Sequence, residues 1–270
     1  ARLRGLMGPL LDDRVVVITG AGPGLGRTLA LRCADEGAHV VPVARTAATV
    51  EAIAAEVRDR GRRALAVPAD VTDRAQMGAL ADAVLAEFGR VDVLVTSAFP
   101  PSHRREVLDM DDDYLEFWRH SIDVAAYGTL LAFRSVVPAM VAAGRGSVVN
   151  VTSMSSRIAY GGRSDYAAGK AAAHRLAWAL ADEVGPAGVR VNNVAPGFIM
   201  SDVLEDWMRV TAEAEGIPYE AMVARHVQSM ALRRIATEDE VAGAVLFFAS
   251  DQSSGITGAT LDVNAGQLFQ

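Results

Sequence analysis

The stretch Val15-Val-Val-Ile-Thr-Gly-Ala-Gly-Pro-Gly-Leu-Gly26 constrains the fold of this chain more than any other. Val15 to Ile18 is an unbroken β-branched run, as expected of a strand whose two faces are both buried in a parallel sheet. The glycines after it let the backbone turn sharply and approach a ligand closely. Leu25 to Glu36 then reads as a helix, stopped by Gly37. A strand that turns on glycines into a helix is the first half of a βαβ unit. The bare N–H groups and positive dipole of that helix make a ready anion site. Val15 to Gly26 is also the longest run without a charged side chain, well short of the roughly 20 apolar residues of a membrane span.

The same rhythm continues along the chain. Strands are expected at His39–Val43, Ala64–Val67, Val91–Val95, Ser147–Val151, Val189–Val194 and Ala259–Val263. Helices are expected at 46–60, 73–88, 164–184 and 238–248, with a long helical region over 111–143 that Pro138 should kink or break. Alternation at this period implies an α/β fold: a single doubly wound parallel sheet with helices on both faces and its ligand at the carboxyl ends of the strands. Residues 1–8 read as a loose lead-in and 9–270 as one catalytic domain. Residues 198–232 break the rhythm and are placed to act as a substrate lid.

Composition narrows the partners. Hydrophobic residues make up 51% and charged residues 22%, which excludes a disordered chain. The net charge is −7 with no basic block, which argues against nucleic acid and anionic membrane surfaces. One cysteine, Cys33, cannot build a disulfide framework and fits a reducing, cytoplasmic setting. The five histidines are scattered without ligand spacing, so no metal is expected.

A phosphate-loop NTPase is excluded by detail, because Arg27 follows Gly26 where that motif needs lysine and the glycine spacing is one residue too long. The pattern Gly20-x-x-x-Gly24-x-Gly26, with Asp70-Val71 after the third strand, resembles instead the classical short-chain dehydrogenase/reductase family. The resemblance covers about Leu10 to Leu268 and implies a Rossmann-type domain that binds a nicotinamide dinucleotide. By that resemblance the dinucleotide is held by Gly20, Pro23, Gly24, Leu25 and Gly26, by Arg45, Asp70 and Val71, by Ser97 and Ala98, and by Pro196, Gly197 and Ile199. Where an acidic residue would select NAD, Ala44 stands instead. Arg45 follows, suited to gripping a 2′-phosphate, so NADP is favoured over NAD, although Pro23 replaces the basic residue that often assists.

Tyr166-Ala-Ala-Gly-Lys170 sets two side chains on one helix face. A free phenol ionises near pH 10, and a nearby ammonium brings it toward the working range of a general acid/base. Ser153 precedes Tyr166 at the family's spacing, so the resemblance implies a Ser153–Tyr166–Lys170 catalytic set, with Tyr166 and Lys170 also touching the cofactor. The implied reaction is hydride transfer between a nicotinamide cofactor and a secondary alcohol or ketone. Phe99 and Ser153, with Phe198 and Trp207, are candidates to line the substrate site; Met200 and Met208 read equally well as lid core.

Two departures stand out. Thr96-Ser-Ala-Phe99 replaces the family's Asn-Asn-Ala-Gly, so the backbone at Phe99 should differ from the usual glycine conformation. Ala125 stands three residues before Gly128, where many members carry a relay asparagine, so a weakened proton relay is expected. The departures admit a non-catalytic scaffold or sensor as the rival class, and His103, Arg104 and Arg105 admit a 3-oxoacyl-thioester reductase. His174 reads as a packing or interface residue, and Asp111 to Asp113 as a helix start. The helix over 166–181 is apolar all round, which implies a second covering surface and a homo-oligomer, dimer or tetramer.

Overall fold

In a computed structural model the described residues are 8–100, 104–159 and 161–269. The expected lead-in lies outside them except for Gly8, and so does His103. The strands are β1 (Val15–Thr19), β2 (His39–Ala44), β3 (Val67–Pro68), β4 (Val93–Thr96), β5 (Gly146–Val151), β6 (Val189–Pro196) and, near the end of the chain, Thr260–Val263. Together they form a seven-stranded sheet in the order β3-β2-β1-β4-β5-β6 and then Thr260–Val263, every neighbouring pair parallel. Chain order reverses between β1 and β4, which opens a crevice at their carboxyl ends.

The β-branched run of β1 is explained by its two partners. Val16 and Ile18 pack into one core with Leu29, Ile53 and Val245. Val15 and Val17 face the other, with Met77, Val136 and Ala177. Each such valine or isoleucine stabilises the fold by about 1.5–3 kcal/mol when fully buried. The first layer is formed by α1 (Leu25–Asp35), α2 (Ala47–Asp59) and a late helix, Glu238–Ala249. The second is formed by α3 (Arg74–Phe88), α5 (Gly128–Ala142) and α6 (Ser164–Val184), with α4 (Asp112–Ile122) leading into α5. Asp111 caps α4 by accepting a hydrogen bond from the Tyr114 amide at 2.9 Å, as a helix start requires.

Three expectations are corrected. The third strand pairs only at Val67 and Pro68, with Ala64 making an isolated bridge to Val40. The long helical region is interrupted at Asp123–Tyr127, a π-helical turn, and not at Pro138. Pro138 lies on the exposed side of α5, where water can satisfy the carbonyl its missing N–H leaves free. Asp112–Ala142 as a whole is long and apolar enough to cross a membrane, but 56% of its apolar window is buried within the protein, as in a core helix. Finally, 198–232 is mostly regular: β7 (Ile199–Met200), α7 (Asp202–Glu215) and α8 (Tyr219–Val227). Met208, Met222 and Met230 form a small core of their own there, and β7 pairs with β8 (Ala236–Thr237), just before α9, the late helix Glu238–Ala249. The last strand, Thr260–Val263, is β9.

Candidate active site

The glycine turn closes on the strand beside it. The Gly20 amide donates to the Val43 carbonyl at 2.9 Å, and Gly20 has φ +78°. A Cβ there would lie 2.4 Å from the Ala98 backbone nitrogen, so only glycine lets this turn rest against Ser97 and Ala98. Gly26 is as tightly placed, its hypothetical Cβ 2.4 Å from the Gly20 carbonyl oxygen. Gly24 precedes α1 and no side chain caps that helix; the Arg27 and Thr28 amides donate to the Gly22 and Gly24 carbonyls, so the Leu25 and Gly26 N–H groups are those available to an anion.

A cleft of about 610 Å³ starts here and runs along the carboxyl ends of the strands. Gly20, Pro23, Leu25 and Gly26 line it at the helix end, and Arg45, Asp70 and Val71 line its outer part. Ser97, Ala98 and Phe99 form its floor; Tyr166 and Lys170, with Pro196, Gly197 and Ile199, close the inner end. Gly24 borders an adjoining recess instead, beside Thr28 and Glu238. Thr46, Thr49, Pro100 and Val124, which stand in no motif of the sequence, also line the cleft. An elongated slot with bare helix N–H groups at one end and a cation, Arg45, beyond them fits a nicotinamide dinucleotide. The Asp70 carboxylate accepts from the Thr72 amide (2.8 Å) and hydroxyl (2.7 Å). Burial pushes its pKa up, but those bonds and the charges of Arg45 and His120 outweigh it and hold the group below the usual carboxylate range.

Ser153 follows β5 and is 5% exposed; Val151 and Thr152 before it line the cleft, and Ser153 itself is not among the lining residues. Its hydroxyl oxygen accepts from the Ser155 amide at 3.2 Å, and its side chain is close enough to Tyr166 to favour the phenolate. Lys170, also 5% exposed, donates to the Val151 carbonyl at 2.9 Å. Burial brings the Lys170 pKa down to about 8. Burial also pushes the Tyr166 phenol up, against the Ser153 side chain and the positive charge of Arg163. Phe99 packs edge-on to the Tyr166 ring, centroids 4.4 Å apart. Its φ is not positive, so the residue is accommodated without the strain a glycine conformation would impose. Behind the site, Thr96 donates to Asn150 at 2.8 Å, and Asn150 donates to Asn193 at 2.9 Å. This buried chain ties β4, β5 and β6 together at matched register. Three polar residues near the ends of three predicted strands were its only sequence signal.

Other candidates are placed differently. Phe198 and Trp207 both pack edge-on against His226, at 5.8 and 5.4 Å, and neither lines the cleft. Phe198 packs against the small core of 198–232, whereas Trp207 is part-exposed, and His226 on α8 gives both rings a partner. Met208 is wholly buried there. Ala125 lies in the π-helical turn, and its carbonyl accepts the Thr129 hydroxyl at 2.7 Å. A Cβ on Gly169 would come 2.8 Å from the Ala125 Cβ, so the turn and α6 meet at a glycine. His174 is buried between two hydroxyls, Ser156 at 3.1 Å and Thr260 at 3.0 Å, with Trp178 edge-on. It is a packing residue of α6.

Comparison with known proteins gives the same family. The family model for short chain dehydrogenase matches residues 14–211. The chain is 35% identical over 260 residues to a cis-4-hydroxycyclohexanecarboxylate dehydrogenase of Sinomonas cyclohexanicum, covering 96% of this chain and 98% of that one. Among solved structures it resembles L-sorbose reductase from Gluconobacter frateurii in complex with NADPH and L-sorbose (TM-score 0.89, 26% identity, 98% and 100% of the two chains). Carveol dehydrogenase from Mycobacterium avium in complex with NAD is equally similar (TM-score 0.89, 28% identity, 98% and 100%). This chain therefore belongs to the short-chain dehydrogenase/reductase family and is an NAD(P)-dependent oxidoreductase that interconverts secondary alcohols and ketones.

Proposed function

We propose that Tyr166 is the general acid/base of this reaction, with Ser153 and Lys170 as its partners. The observation that carries the reading is that Tyr166 and Lys170, one helical turn apart on α6, line one cleft beside the turn after β5 that holds Ser153, with the Lys170 ammonium bonded to the Val151 carbonyl. The bound nicotinamide supplies or accepts the hydride. In reduction, Tyr166 gives its hydroxyl proton to the substrate oxygen as the carbonyl carbon gains that hydride. In oxidation the phenolate takes the alcohol proton. Ser153 hydrogen-bonds the same oxygen and fixes its distance from Tyr166. Lys170 lowers the cost of the phenolate through its charge and, by the family resemblance, orients the nicotinamide ribose.

NADP is the preferred cofactor in this reading, since Arg45 borders the outer cleft and no acidic residue stands at Ala44 to bind ribose hydroxyls. The substrate is an alicyclic secondary alcohol or its ketone. Phe99 and Pro100 supply an apolar wall beside Tyr166, and the similar Sinomonas protein acts on a hydroxycyclohexane ring. The carrier-linked alternative is not favoured, because Arg104 donates to the Gly161 carbonyl at 3.3 Å and Arg105 lies over the Tyr114 ring. α7 and α8 serve as the substrate lid over one catalytic domain. The protein works as a cytoplasmic homo-oligomer, a tetramer in this reading, with part-exposed Tyr127, Leu130 and Val141 on the α5 side and Trp178 on α6 as contact candidates. Assaying cyclic, acyclic and polyol substrates with both cofactors tests the reading. Faster turnover of cyclohexanols with NADP supports it, and a preference for sugar alcohols or NAD contradicts it.

A further inference from the structure

The buried amine of Lys170 leaves a gap in the electrostatics of Tyr166. Alcohol oxidation needs the phenolate, and burial opposes that anion. The cation meant to support it loses its own proton at about pH 8. Above that pH a lysine is a weak support, whereas a guanidinium keeps its charge.

Such a guanidinium is present. Arg163 immediately precedes α6, three residues and so one turn before Tyr166. Its guanidinium carbon lies 4.7 Å from the centroid of the Tyr166 ring, over the ring face. Phe99 meets the same ring edge-on, and the Lys170 ammonium lies 5.7 Å from the Phe99 centroid. The Arg163 side chain is half-buried, and among the described residues its Nε has no hydrogen-bond partner and no carboxylate pairs with it. The aromatic face is thus the contact that defines its position, and a cation is drawn to that face more strongly once the phenol ionises.

We propose that Arg163 is a positioning residue for Tyr166: its guanidinium clamps the ring face and stabilises the phenolate. The inference rests on Tyr166 being the acid/base. The titratable, charged and hydroxyl groups of the elements packed here are Lys170, Asp165 and Arg163 of α6 and its start, Ser153 of the turn after β5, and Tyr114 of α4, which feels the charges of Asp165 and Arg163. Arg104, Arg105 and Glu106 approach from the segment after β4, which donates from the Arg105 amide to the Gly162 carbonyl at 2.9 Å. Arg163 is the one cation among these that lies on the Tyr166 ring itself.

The test is the pH profile of kcat/KM for alcohol oxidation in wild type, Arg163→Met and Arg163→Lys, with NADPH affinity and the ultraviolet phenolate signal (wild type minus Tyr166→Phe) recorded alongside. Arg163→Met should move the acidic limb and the phenolate titration up by about 1 unit, leave NADPH affinity within about twofold, and be largely rescued by Arg163→Lys. Should Arg163→Met not fold, Arg163→Gln is read against the same limb. An unmoved limb overturns the proposal, as does a raised KM with an unmoved limb, which makes Arg163 a substrate contact. Either result leaves the role of Tyr166 standing, because that role is read from Tyr166→Phe alone.

Discussion

Lys170→Met turns the dryness of the site into a measurable stability. The ammonium is 5% exposed and its pKa falls from 10.5 in the open chain to about 8 in the folded protein, the cause being burial. Between those two values the unfolded chain holds more protons than the folded one, so stability rises with pH across that window. Below pH 8 both states are protonated and the folded protein carries the whole cost of the buried charge. At 1.36 kcal/mol per unit the full cost is about 3 kcal/mol, of which roughly 2–3 kcal/mol is relieved between about pH 7 and about pH 10. Lys170→Met removes the titrating group, and the lost bond to the Val151 carbonyl is the same at every pH. The difference in unfolding free energy between the two proteins isolates the effect, since their other titrations cancel. Denaturant unfolding without cofactor should show wild type gaining that amount on the variant as pH rises, while the variant is inactive throughout. A difference flat to within about 0.5 kcal/mol would refute the reasoning, because it would mean a solvated amine.

Other outcomes follow from the same geometry. Gly20→Ala combines a left-handed backbone with a Cβ 2.4 Å from the Ala98 nitrogen, and should cost roughly 2–5 kcal/mol of stability; thermal unfolding checks it, and an unchanged Tm contradicts it. Arg45→Ala should weaken NADPH about ten- to a hundredfold through one lost charge-assisted bond and leave NADH alone, which fluorescence titration reads; equal losses would remove Arg45 from the 2′-phosphate. Hydrogen exchange over α7 and α8 should slow on adding cofactor and substrate together, and identical exchange would count against a lid.

What the sequence made legible was local. The β1–glycine–α1 unit depends on adjacent residues, and the expected span of α6, 164–184, matches the observed Ser164–Val184 because its apolar pattern is unbroken. Ser153, Tyr166 and Lys170 could be singled out because their spacing is fixed within one strand end and one helix. Features that depend on what packs from elsewhere were not legible. The Thr96–Asn150–Asn193 chain needs the register of three strands far apart in sequence. Phe198 and Trp207 were sorted toward substrate because nothing local reveals that His226 lies between them. The π-helical turn at Asp123–Tyr127 lies where Ala125 closely approaches Gly169, a contact across two helices, while Pro138 gave a stronger but misleading local signal. Arg163 carried no motif at all, and only the folded chain lays it on Tyr166.

The central claim is that Tyr166 moves the proton, and Tyr166→Phe tests it most directly. The substitution keeps the ring, its edge contact with Phe99 and its place under Arg163, and removes only the hydroxyl. Ketone reduction by the variant should fall about 10²–10⁴-fold in kcat, or roughly 3–5.5 kcal/mol of barrier, with NADPH affinity unchanged. A variant that reduces ketones at the wild-type rate would contradict the account.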